Sequence, residues 1–151
     1  MRLFSAIEAS ASGLTAQRLR LDLIASNLAN AETTRTPEGG PYVRRVAIVA
    51  PRNPKYSFRE LLALKWGSLP GDGSPVGVEV VSVARDPTPP RRVYMPGHPD
   101  ADDDGYVTFP NVNVVTEMVD MMAATRAYEA NVTAIEAAKA MATRALEMLR
   151  V

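Results

Sequence analysis

The sequence predicts an α+β chain: long N- and C-terminal helices pairing as an antiparallel coiled coil, with a small irregular β-rich middle. Two observations carry this. All 12 Pro and 8 of the 9 Gly fall within residues 31–110, so helix breakers are confined to the centre. Both ends then carry apolar residues at alternating three- and four-residue spacing, the a/d seam of a coiled coil. The expected domains are 1–30, 31–110 and 111–151.

In the first helix the seam reads Phe4, Ile7, Ala11, Leu14, Arg18, Leu21, Ala25 and Leu28. Arg18 is its one charged interruption, with Glu129 or Glu136 across the seam as partner. Leu3, Leu19, Leu23 and Ile24 add apolar area beside it and invite a second neighbour. Gly13 costs about 1 kcal/mol of helix propensity but admits close approach of another helix. Asn27 and Asn30 are natural stopping points.

The last helix reads Val114, Met118, Met121, Thr125, Tyr128, Val132, Ile135, Lys139, Ala142, Leu146 and Leu149. Asn111 or Asn113 caps its start, and Glu117 and Asp120 suit the positive end of the helix dipole. At 1.5 Å per residue it runs roughly 55 Å, longer than a compact chain of this size is wide. Its stripe must meet the other helix, other chains, or both.

The middle predicts strands over Tyr42–Ala50 and Val76–Ala84, with shorter ones over Arg92–Met95 and Tyr106–Phe109. Phe58–Leu64 reads as one short helix or an ordered loop. The proline density favours an irregular sheet over a regular sandwich.

Composition narrows the function. The chain has 17 Lys+Arg against 17 Asp+Glu, which argues against nucleic acid as main partner. It has no Cys, which excludes disulfides and thiolate chemistry. No run approaches a membrane span, and Glu8, Arg18, Arg20 and Asp22 break any cleavable-signal core, so direct membrane insertion is not expected and export would need another route.

Catalytic signals are absent: His98 is the only His and reads as a turn residue between prolines. Gly39-Gly40 and Gly71-Asp72-Gly73 lack the context of a nucleotide loop. Asp100, Asp102 and Asp104 before Gly105 match the opening of a calcium loop. The twelfth position is Asn111 rather than Glu, and no helix precedes the loop, so an acidic surface turn is the preferred reading. No cofactor is expected. Met118, Met121 and Met122 read as packing rather than a cofactor groove. Two other functions stay open from the residues alone: a secreted calcium-binding module and a cytoplasmic coiled-coil adaptor.

What remains is assembly. The residues expected at the interface are Ile7, Leu14, Leu21, Leu28, Met118, Met121, Tyr128, Val132, Ile135, Leu146 and Leu149. Heterologous contacts that do not close a ring would build an open helical assembly.

Particular motifs sharpen this. Ser10–Gln17 (SASGLTAQ), Ala25–Thr34 (ASNLANAETT) and Gly39–Tyr42 (GGPY) resemble the N-terminal motif of the flagellar rod and hook axial family. Tyr94–Asp102 (YMPGHPDAD), Gly105–Val107, Pro110–Asn113 (PNVN), Glu117–Met121 (EMVDM) and Arg126–Asn131 (RAYEAN) resemble a proximal-rod member. The resemblance implies a non-enzymatic subunit of the basal body. It would be exported by the flagellar type III apparatus without a cleaved signal and built into a tubular shaft through its terminal helices. Implied partners are other copies, the rod subunits FlgB, FlgF and FlgG, and the junction protein FliE.

Overall fold

The computed structural model describes residues 2–52, 62, 65 and 77–148. Two long helices bracket two small hairpin-like sheets. Helix α1 spans Arg2–Ala29 and helix α2 spans Val114–Met148. Between them lie β1 (Arg45–Pro51), β2 (Val78–Arg85), β3 (Arg91–Tyr94) and β4 (Tyr106–Phe109). The predicted strands lie within one or two residues of these bounds, except that β1 starts three later than expected. Phe58–Leu64 lies outside the described residues apart from Leu62.

The helices run antiparallel. Asn27 of α1 bonds Glu117 of α2, while Gly13 of α1 faces Asn131 of α2. Thus a step of two heptads down one helix matches the same step up the other. Small side chains line this contact: Ala16, Ala124 and Ala138 are buried along with Ile24. A Cβ built on Gly13 would stand 2.9 Å from Asn131 Nδ2, so this glycine sets how closely the helices approach.

Here the predicted seam needs correction. On α2 the covered face runs through Glu117, Met121, Ala124, Tyr128, Asn131, Ile135, Ala138 and Ala142. The row Met121, Tyr128, Ile135, Ala142 is the one expected. The other row is displaced by one residue: Met118, Thr125, Lys139 and Leu146 are exposed and Val132 of that row is half-buried, while Val114, at the start of the expected row, is exposed as well. On α1, Ile7, Leu14, Leu21 and Leu28 are half-buried, but Phe4, Ala11, Arg18 and Ala25 face solvent. The physical reason is size. Hydrophobic periodicity favours large side chains, whereas closely spaced helices select Gly, Ala and Asn at the contact.

Strands β1 and β2 pair antiparallel, with a bulge between Ile48 and Val49. A two-stranded sheet is marginal alone, and this one rests on α1. Gly77 makes the junction. Its φ is +88°, and a Cβ there would collide with the Ser12 hydroxyl. The Ser12 Oγ instead accepts the Val78 N–H at 3.0 Å and donates to the Ala9 carbonyl at 2.7 Å.

Strands β3 and β4 form the second pair, Arg91 opposite Phe109 through Tyr94 opposite Tyr106. Stacking secures it: the Tyr94 and Tyr106 rings meet edge-on at 5.3 Å, and Arg92 lies 5.0 Å from the Tyr106 ring centre. Val107 is fully buried beneath it.

Candidate functional site

A polar node joins the C-terminal end of α1, the start of β1 and the first turn of α2. Asn27 and Glu117 are each only 1 % exposed. The Asn27 amide nitrogen donates to the Arg45 carbonyl at 2.9 Å and to Glu117 Oε2 at 3.1 Å. Its oxygen accepts the Tyr42 hydroxyl at 2.9 Å and the Arg45 N–H at 3.0 Å. Both donors and both lone pairs are used, the full capacity of an Asn.

Glu117 carries a charge into this burial, which demands a counter-ion. Arg44 supplies it, 2.6 Å from Oε1. Its guanidinium also reaches Asp86 at 3.1 Å and Asp120 at 3.7 Å. Burial works against the Arg44 charge, but hydrogen bonds to Glu117 and Asp86 outweigh it and hold its pKa above the ordinary value. Asp86 is held below the usual carboxylate range, first by the Thr88 hydroxyl and N–H, then by Arg44. Arg20 of α1 pairs with Asp120 at 3.1 Å. Among the described residues this is the ion pair between the helices, in place of the expected one from Arg18.

The loop after α1 is tied in by the same motif. The Asn30 side chain donates back to the Ser26 carbonyl at 2.9 Å, and Thr33 bonds Asn30 Oδ1 at 3.2 Å. The Tyr42 N–H then reaches the Thr33 carbonyl at 3.1 Å. At the other end, Asn113 Oδ1 caps α2 by accepting the Val115 and Thr116 N–H groups. Asn111 Oδ1 accepts the Arg44 N–H at 3.1 Å.

The acidic turn is spoken for. Asp100 accepts the Thr34 hydroxyl at 2.7 Å. Asp102 accepts the Tyr106 N–H at 2.8 Å and pairs with Arg92 at 2.6 Å. The Tyr106 N–H foremost, then Arg92, holds the Asp102 carboxyl below its ordinary pKa. Asp104 is exposed. Among the described residues, no three His, Cys, Asp or Glu converge on a metal position. The run reads as the reversal between β3 and β4, pinned to the loop after α1. His98 belongs to it: its Nδ1 accepts the Asp100 N–H at 3.1 Å.

The expected interface residues divide into two groups. Ile7, Leu14, Leu21, Leu28, Met121, Tyr128, Val132 and Ile135 lie half-buried along the paired helices. Met118 and Leu146 stand outward, 53 % and 65 % exposed. Leu149 lies outside the described residues. Periodicity missed Asn27, Arg44, Glu117, Ser12 and Asn131 because it scores apolar residues alone. For those on the helices, the usable signal was a polar residue placed on an apolar face; Arg44, just before β1, carried no such signal.

One outward stripe of α2 is apolar. Val115, Met118, Val119 and Met122 are each more than half exposed on one face of α2. Single exposed apolar residues are ordinary, but a continuous stripe marks a contact surface. No described helix is long and apolar enough to cross a membrane.

Comparison with known proteins agrees with this arrangement. Residues 7–35 match the family described as flagella basal body rod protein. Residues 103–148 match the C-terminal family of flagellar basal body rod FlgEFG proteins. The two matches thus fall largely on the helices and include Asn27 and Glu117 of the node. The chain is 47 % identical to the flagellar basal-body rod protein FlgC of Borreliella burgdorferi, over 99 % of both chains. It is 42 % identical to that of Bacillus subtilis, over 98 % of this chain and 99 % of the relative. It is 36 % identical to that of Salmonella typhimurium, over 98 % of each. A likeness of that depth over essentially the whole length places this chain in the FlgC family of flagellar basal-body rod proteins, as a structural subunit of the rod.

Proposed function

We propose that the chain builds the proximal part of the rod through its two terminal helices, which pair as an antiparallel coiled coil and dock on neighbouring subunits. The observation that carries this is the division of labour on α2. Its small residues pack on α1, while Val115, Met118, Val119 and Met122 remain exposed. A chain that spends Ala and Gly inside and keeps Val and Met outside is arranged for a partner. Fully burying one such Val or Met contributes about 1.5–3 kcal/mol, and the gain repeats at every subunit of an open assembly.

In this reading residues 1–30 and 111–151 form the assembling layer, and 31–110 form the outer layer braced on it. The node at Asn27 and Glu117 fixes the two layers relative to each other, so the sheets follow the helices into register. Neighbours are other copies and the rod subunits FlgB, FlgF and FlgG, with FliE at the base. The chain reaches its place through the flagellar export apparatus without a cleaved signal. Its role in this reading is mechanical, in keeping with its likeness to flagellar basal-body rod proteins.

Electron microscopy of basal bodies from source cells lacking this chain tests the reading. The expected result is rings without a rod, restored by the wild-type gene. Intact rods and filaments in those cells would overturn it.

A further inference from the structure

We propose that Met118 and Met122 are an oxidative modification site: their thioethers take up oxygen from peroxide in the free chain, and the resulting sulfoxides block docking. This rests on the reading that Val115, Met118, Val119 and Met122 meet a neighbouring subunit, and it names a chemical control of that contact.

Three observations place the chemistry there. The chain has no Cys, so all its sulfur is held by seven Met. Met118 and Met122 lie about one helical turn apart on the outward stripe, 53 % and 56 % exposed. Met121, between them in sequence, is half-buried along the α1 contact. Residues 118–122 thus hold two open thioethers and one shielded one. Peroxide reaches a thioether through solvent, so exposure ranks the three.

The step is an oxygen transfer. A sulfur lone pair attacks hydrogen peroxide and the O–O bond breaks. One oxygen stays on sulfur and the other leaves as water. Sulfur loses two electrons and peroxide gains them. A flexible apolar side chain becomes a polar one with a strong hydrogen-bond acceptor. A dithiol reductant reverses the change, giving back the thioether with a disulfide and water.

The consequence differs between the free and the docked chain. In the free chain the new oxygen faces water, so the fold persists. Against a neighbour it is enclosed with the apolar side chains of Val115 and Val119. A buried acceptor without a partner weakens such a contact by roughly tenfold or more, and two stand side by side here. Docking in turn shields both sulfurs. The site therefore responds to oxidant before assembly and not after it. Leucine at both positions would supply similar volume without the sulfur.

Purified full-length chain treated with dilute hydrogen peroxide and mapped by mass spectrometry gives the first reading. Met118 and Met122 should gain one oxygen each several times faster than Met121, with helical dichroism unchanged. Equal rates at all three would overturn the proposal. Source cells give the second. Met118→Gln with Met122→Gln stands in for the sulfoxides and should give rings without rods. Met118→Leu with Met122→Leu should give normal rods, and should keep building them during a peroxide pulse that stops the wild type. Met118→Ile with Met122→Ile is read the same way, should leucine disturb the rod. Equal loss of rods under peroxide in wild type and apolar variant would overturn the proposal. So would normal rods from the Gln variant. If Val119→Asp then still blocks the rod, only the oxidation site is removed; normal rods from both would remove the docking face as well.

Discussion

The Asn27 amide and the Glu117 carboxylate meet at 3.1 Å with both side chains almost wholly buried, ninety residues apart in sequence. Both are polar residues on otherwise apolar helix faces, and together they join the end of one helix to the start of the other. A buried polar pair of this kind is costly unless complete, and here Arg44, Tyr42 and Arg45 complete it.

Asn27→Ala should therefore destabilise the chain by more than a cap or surface residue would. It strands the Arg45 N–H and one Glu117 oxygen and leaves the Tyr42 hydroxyl only its 3.4 Å contact with Ser26 Oγ, for about 2–4 kcal/mol at the usual cost of unsatisfied buried groups. Urea unfolding followed by circular dichroism measures it. A loss within error of zero would mean the node is open to water.

Gly13 and Asn131 should behave as one unit. Gly13→Ala gains about 1 kcal/mol of helix propensity but presses its Cβ on the Asn131 amide. The single change should come out near neutral. Combined with Asn131→Ala, the gain should appear in full, giving a favourable coupling in a double-mutant cycle. Strict additivity would show that Asn131 moves aside freely.

Both long helices and the four described strands were legible from breaker placement and periodicity. These signals are local, and each element obeys its own propensity. The seam was half legible, because Met121, Tyr128 and Ile135 are large and Ala124, Asn131 and Ala138 are not. Apolar periodicity cannot tell a close-packed alanine face from an unpartnered methionine face. The node was illegible as geometry, since Asn27, Arg44 and Glu117 are brought together only by the antiparallel register. The motifs that contain Asn27 and Glu117 were nevertheless visible as family signature. The structure gives those letters physical meaning: Ser12 and Gly13 seat β2 and α2 on α1, and Asn27 closes the node.

Gly77→Ala should loosen the sheet from α1. At φ +88° an alanine is strained, and its Cβ also displaces the Ser12 hydroxyl from the Val78 N–H. A loss of at least about 1–2 kcal/mol follows from the strained backbone alone. Ser12→Ala should cost about 1 kcal/mol by removing the acceptor only. Amide exchange at Val78 separates the two, with protection falling in both and further in Gly77→Ala. Equal protection in the wild type and Gly77→Ala would refute the junction.

Acid should open the second sheet first at Asp102. Its carboxyl sits below the ordinary range, so the folded state favours the charged form. That contribution is complete above the unfolded aspartate value of about 3.9 and disappears as pH falls through the lower folded value. The Tyr94–Tyr106 pair gives a near-ultraviolet dichroism signal for this sheet. The signal should hold to pH values below about 3.9 and then fall, and Asp102→Asn should remove the dependence. A transition above that pH would place the titrating group elsewhere.

The two faces of α2 should separate fold from assembly. Ile135→Asp puts a charge into the half-buried contact with α1, and helical content of the isolated chain should drop along with rod formation. Val119→Asp puts the same charge on a position 55 % exposed in the free chain. Its stability should stay within about 0.5 kcal/mol of wild type, as for other surface changes. Rods should nevertheless fail, because the charge would have to be desolvated against the neighbouring subunit. Dichroism of the purified variant and microscopy of basal bodies give the two readings. Normal rods from Val119→Asp would mean that this face looks onto solvent in the assembled shaft, and the docking surface would have to be sought on α1 instead.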